Sequence, residues 1–110
     1  MNNVAVQIVR FVDDSFPGFV ECELVDASGR CHILKDKVPI FTDEVLDADS
    51  TYPVPGLVAC EVVGRYQDDK GQELLRVSTA SPLYIESAEG VSEFTVLANV
   101  VSSTPDKKNL

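Results

Sequence analysis

Three short turns constrain this chain more than anything else in it. Asp26-Ala27-Ser28-Gly29, Asp68-Asp69-Lys70-Gly71 and Ser87-Ala88-Glu89-Gly90 each open on a side chain that can cap a turn and end in glycine. That is the composition of a three-residue hairpin loop, a type I turn closed by a residue at positive φ. The flanks of each tetrad are rich in β-branched, aromatic and alternating apolar residues: 19–25 and 30–35, 58–66 and 73–79, 83–86 and 92–97. Each pair of flanks therefore reads as a hairpin. A three-residue loop sets Leu24 opposite His32, Cys22 opposite Leu34 and Glu21 opposite Lys35, which sorts an apolar face from a charged one and points His32 inward. A two-residue loop would instead turn His32 outward and Cys31 inward and set Glu21 beside Asp36, a like-charge pairing that makes the first register the preferred one. The same rule in the third hairpin sets Tyr84 opposite Phe94 and Glu86 opposite Ser92.

A further β-rich run at 4–12 brings the count to seven strands. Seven short strands without a convincing amphipathic helix predict an all-β fold of six to seven strands, a small antiparallel barrel or a two-sheet sandwich. The barrel is preferred, because so short a chain has little left to cover open edges. With 110 residues the expectation is one domain over 1–101 and a polar tail over 102–110, interrupted by Pro105, that frays.

Charge narrows the partners. Eighteen acidic against nine basic side chains give a net charge of −9, a field that repels phosphate backbones and anionic lipid headgroups and attracts a basic protein. Neither nucleic acid nor a membrane is an expected partner. Apolar runs are too short to span a bilayer, and the N-terminus has no basic region followed by an apolar one, so a cytoplasmic location is expected. The strand and turn layout resembles the small β-barrels and sandwiches that recur in translation factors, nucleic-acid modules and adaptors. The acidity sets the chain apart from the nucleic-acid members, and the resemblance carries over no functional residue. Oligomeric state is left open, a homodimer through one strand edge being compatible with the pattern.

Enzymatic chemistry finds little support. Cys22, Cys31 and Cys60 are odd in number and lack CxxC spacing, which reads as free thiols rather than a disulfide or a metal site. The sole histidine, His32, adjoins Cys31 on one strand, so the two point to opposite faces. Cys22 lies diagonally from His32 at roughly 7 Å between backbone positions, too far for a ready hydrogen-bonded dyad. No glycine-rich phosphate loop, nucleophile elbow or HExxH element occurs. A non-enzymatic protein without a cofactor is expected.

Residues 36–56 break the hairpin rhythm. Their length exceeds the usual connection of about 4 to 6 residues, and long loops in compact domains tend to be binding loops or lids. At most one helical turn is expected there, capped by Thr42 or Asp43, with Val45 and Leu46 anchoring the loop. Asp43, Glu44, Asp47 and Asp49 gather between Phe41 and Tyr52. These six residues are the candidate site. As a docking surface, the carboxylates steer a basic partner while the aromatics supply contact. As a lid, Phe41, Leu46 and Tyr52 plug one end of the barrel. As a cation site, Asp47-Ala48-Asp49-Ser50 resembles the start of a calcium loop, but the sixth and twelfth positions hold Tyr52 and Val58 instead of glycine and glutamate. The leading expectation is an interaction module that neutralises or recruits a basic protein, as an antitoxin or immunity protein does. The alternative is a barrel that binds a small ligand or a cation.

Overall fold

Alternation of apolar and polar side chains sets each strand's two faces. The computed structural model describes residues 1–104. In β1 (Asn2–Asp13), Val4, Val6 and Ile8 are buried while Ala5 and Gln7 face outward. In β2 (Phe19–Val25) the inward set is Val20, Cys22 and Leu24, and in β3 (Cys31–Lys37) it is His32 and Leu34. The pattern continues through β4 (Val54–Gln67), β5 (Glu73–Ser78) and β6 (Glu93–Leu97), which contribute Val58, Cys60, Leu75, Val77, Phe94 and Val96 to one core. Each fully buried Val, Leu or Ile contributes about 1.5–3 kcal/mol relative to exposure.

The strands form one antiparallel sheet in the order β3-β2-β1-β4-β5-β6, curled into a half-barrel. A short β7 (Val101–Ser103) pairs with the start of β1, and the Asn3 side-chain amide donates to Thr104 Oγ1 beyond it. The β1–β2 ladder slips between Ile8 and Arg10 and again between Phe11 and Asp13, and the β4–β5 ladder slips between Val62 and Gly64. Such bulges bend strands and increase twist, which suits a sheet that must curl.

Two of the glycine-ended tetrads close the curl. The Ala27 N–H donates to Thr95 O on β6 at 2.8 Å, and the Ala88 N–H donates to Ile33 O on β3 at 2.8 Å. Leu34 and Ser87 form an isolated bridge, and Arg30 pairs with Glu89 at 2.8 Å. The first and third turns thus each satisfy the outer edge of the other's neighbouring strand. His32 and Phe94 meet across this seam, ring edge to ring face, with centroids 4.8 Å apart.

The expected register of the first hairpin is present: Leu24 pairs with His32, Cys22 with Leu34 and Glu21 with Lys35. The second tetrad joins β4 to β5, and Gly71 stands at φ 81, where a side chain would be strained. The third expectation needs correction. The Ser87–Gly90 turn forms, with the Gly90 N–H donating to Ser87 O at 2.8 Å, but 83–86 is not a strand. Phe94 pairs with Val77 of β5, not with Tyr84. The seventh strand is β7, so Ser102 and Ser103, assigned to the tail, are paired; 105–110 lie outside the described residues.

The long connection is also shorter than its sequence suggests, because Asp36 and Lys37 end β3 and Val54 begins β4. Its helical turn, α1 (Val38–Phe41), precedes Thr42 instead of following it. Pro39 explains the shift: its ring suits the first turn of a helix, where no N–H is needed.

Candidate functional site

The loop from α1 to β4 is built around two buried side chains. Phe41 is 2% exposed, and its carbonyl oxygen stands 3.0 Å from where a Cβ on Gly56 would lie, with Ile8 side-chain atoms at 3.1 Å. Gly56 is therefore the slot into which the end of α1 fits. Leu46 is the second buried point, whereas Val45, expected to share that role, is 95% exposed.

Between and after these points the loop brackets itself. Thr42 Oγ1 accepts from the Glu44 N–H at 3.1 Å. Asp47 Oδ1 accepts from the Asp49 N–H at 2.9 Å, and the Asp47 N–H donates to Ser50 Oγ at 3.0 Å. The Tyr52 hydroxyl donates to Asp47 O at 2.7 Å while its ring packs, half-buried, against the core. Asp47 thus spends a carboxylate oxygen on the turn, as aspartate commonly does. Tyr52 holds the loop rather than standing free of it.

Of the six candidate residues, the structure places Phe41 in the core and Tyr52 partly against it. The four carboxylates divide between two concavities. Asp43 and Glu44 border an open groove of about 610 Å³ over the outer face of β1 and β4, with Ala5, Ile40 and Leu57 among its apolar lining. Asp47 and Asp49 border a hollow of about 450 Å³ against the β1–β2 turn.

The hollow contains what the sequence reading missed. Its walls include Phe11, Phe16, Pro17 and Leu46, with Asp14 beside Asp47 and Asp49. Phe16 is 96% exposed. The turn that carries it is closed by two hydrogen bonds: Asp13 Oδ1 accepts from the Ser15 N–H at 2.8 Å and the Gly18 N–H donates to Ser15 O at 2.6 Å. Gly18 stands at φ 95, and a Cβ there would meet the Phe11 ring at 2.9 Å. The signal lay in Asp13-Asp14-Ser15-Phe16-Pro17-Gly18, a turn sequence with an aromatic at its apex. No periodicity rule distinguishes such an apex from a core residue.

Among the described residues, no cation lies within 4 Å of Asp14, Asp43, Glu44, Asp47 or Asp49. Nor, among those residues, do three His, Cys, Asp or Glu side chains come together closely enough to hold a metal ion. Apart from the Asp47 oxygen that accepts within its own turn, these carboxylates face solvent or an external cationic group.

The only histidine serves the seam. Burial tends to raise the Asp26 carboxyl, but hydrogen bonds from Ser28, His32 and the Arg30 N–H outweigh it and hold the group at about 2. Asp26 is therefore ionised and can only accept, so His32 Nε2, 2.8 Å from Asp26 Oδ2, carries the proton. His32 Nδ1 is buried and has no hydrogen-bond partner among the described residues. Cys22 is also buried, and desolvation, helped by Glu21, pushes its thiol up to about 12. A nucleophile and base drawn from this pair would be sealed from substrate and lack a thiolate at neutral pH.

Comparison with family models, with curated proteins and with solved structures returns no match.

Proposed function

We propose that this chain is a non-enzymatic interaction module that binds a basic protein through the hollow between the β1–β2 turn and the acidic loop. The reading is carried by Phe16, an almost fully exposed aromatic set beside Asp14, Asp47 and Asp49. An exposed aromatic anchor surrounded by charge has the composition of an interface hot spot and its rim. The net charge of −9 adds a long-range field that speeds encounter with a basic surface. All three cysteines are free thiols, in keeping with action in a reducing compartment, and we place it in the cytoplasm.

The test uses the full chain as bait in extracts of its native host, at low and moderate salt. The expected result is a basic protein whose recovery falls as salt rises. Purified, that protein should lose at least tenfold in affinity for Phe16→Ser and about threefold for Asp14→Asn/Asp49→Asn. Asp47 is left intact because its carboxylate builds the turn. A partner indifferent to Phe16→Ser, or no partner at either salt, overturns the proposal.

A further inference from the structure

Residues 79–85 leave β5 without forming a strand, and their base is locked in place. The Thr79 N–H donates to Ser92 O at 2.8 Å, the Ile85 N–H to Thr79 O at 2.9 Å and the Tyr84 N–H to Ala80 O at 3.0 Å. Thr79 Oγ1 donates to Ile85 O at 2.7 Å. The side chains of Thr79 and Ile85 are both buried in the body of the molecule.

What this base holds up is Pro82-Leu83-Tyr84. Leu83 is 44% exposed and Tyr84 is 85% exposed. Tyr84 also stands at φ 57 and is the one non-glycine residue at positive φ among those described. The left-handed region is costly for a bulky side chain, and such a conformation persists only where its surroundings impose it. Here the locked base imposes it, yet the ring buries almost nothing in return. Glycine or asparagine would meet the same backbone at lower cost. An aromatic held at positive φ gains almost no burial here to offset that backbone, which points to a use outside the fold.

We propose that the tip at residues 82–84 is a second interaction surface, which inserts the Tyr84 ring, with Leu83 beside it, into an apolar cleft on a partner protein. The cleft carries a hydrogen-bond acceptor at its floor for the phenol hydroxyl, because a buried tyrosine needs one. The locked base lowers the ordering cost of binding, since the ring is already presented and has few rotatable bonds to freeze. The net charge of −9 and the exposed Glu86 beside the tip disfavour a lipid surface as the occupant. The inference is independent of the acidic hollow.

Two measurements test it on the full chain. First, Tyr84→Gly should raise the thermal midpoint by about 2–6 °C through relief of the backbone; an unchanged or lower midpoint overturns the claim that the conformation is strained for a purpose outside the fold. Second, Tyr84 is replaced by the photo-crosslinker p-benzoyl-L-phenylalanine in the native host, with the same replacement at half-exposed Tyr66 as control. One discrete protein adduct at position 84, absent at 66, is expected. The adduct partner, once purified, should bind Tyr84→Asn at least tenfold more weakly than the parent, and Phe16→Ser no more than twofold more weakly. Tyr84→Asn separates ring from backbone because asparagine tolerates positive φ. No adduct, equal adducts at both positions, a lipid adduct, a loss below tenfold for Tyr84→Asn, or a loss above twofold for Phe16→Ser overturns the proposal.

Discussion

At the scale of single residues, two phenylalanines in similar sequence surroundings have opposite roles. Phe41 ends a proline-led helical turn and buries its ring in the core, its carbonyl oxygen lying against Gly56; Phe16 precedes a proline in a turn and stands in solvent. Phe41→Ala should therefore cost about 3–5 kcal/mol, whereas Phe16→Ala should change stability by less than about 0.5 kcal/mol. Urea unfolding of the two variants checks the contrast, and equal effects would refute the assignment. The thiols offer a second contrast. Burial pushes Cys60 up to about 11 and Cys22 to about 12, while Cys31 stands exposed with its thiol raised by desolvation and by Glu23. A colorimetric thiol titration of the native chain at pH 8 should count one reactive group, from Cys31, and all three only in denaturant. Cys31→Ser should remove the native signal.

At the scale of elements, the hairpin turns are held by their leading side chains. Asp26 takes hydrogen bonds from the Ser28 N–H, the Arg30 N–H and the Ser28 hydroxyl, and it orients His32. Its carboxyl is held at about 2, below the ordinary value near 3.9. A group lowered in this way contributes stability that is present above pH 4 and is lost as pH falls through about 2. Asp26→Asn should destabilise the chain at pH 7 by about 1–3 kcal/mol. It should also flatten the decline in stability between about pH 4 and 2, as measured by denaturant titration at each pH; an acid limb of unaltered slope would exclude Asp26 as its source. These turns and the first two hairpins were legible in the sequence because cap, glycine and period-two flanks all agree, down to Leu24 opposite His32. The third hairpin was misread for a physical reason. Leu83, Tyr84 and Ile85 have the composition of a strand, but the locked 79–85 loop puts Tyr84 at positive φ and buries only Ile85. Composition records β-propensity, and tertiary context overrode it. The candidate site was half legible. Its carboxylates cluster in the sequence, but their division between two concavities and their pairing with Phe16 depend on how β1–β2 approaches the loop.

At the scale of the whole molecule, the sheet runs from β3 at one end to β6 at the other, and the seam that joins these ends is made mostly by turns. Arg30 and Glu89, which face each other there, are 59 residues apart in sequence, and both are largely exposed. That ion pair contributes little, at most about 1 kcal/mol; the main-chain bonds from Ala27 and Ala88 and the His32–Phe94 contact carry the closure. β3 and β6 are the two ends of the strand order, and the seam joins residues such as Arg30 and Glu89, 59 apart in sequence, so closing it carries a large loop-closure cost. The expectation is that the seam closes late in folding, after the rate-limiting barrier. Phe94→Leu, a buried change large enough to measure, should steepen escape from the native state while leaving the rate of reaching it nearly untouched. In a stopped-flow chevron the unfolding limb should rise and the folding limb stay in place, and a shift confined to the folding limb would place the seam in the nucleus instead. On that expectation, a half-barrel latched by its turns owes its lifetime, rather than its speed of assembly, to the latch.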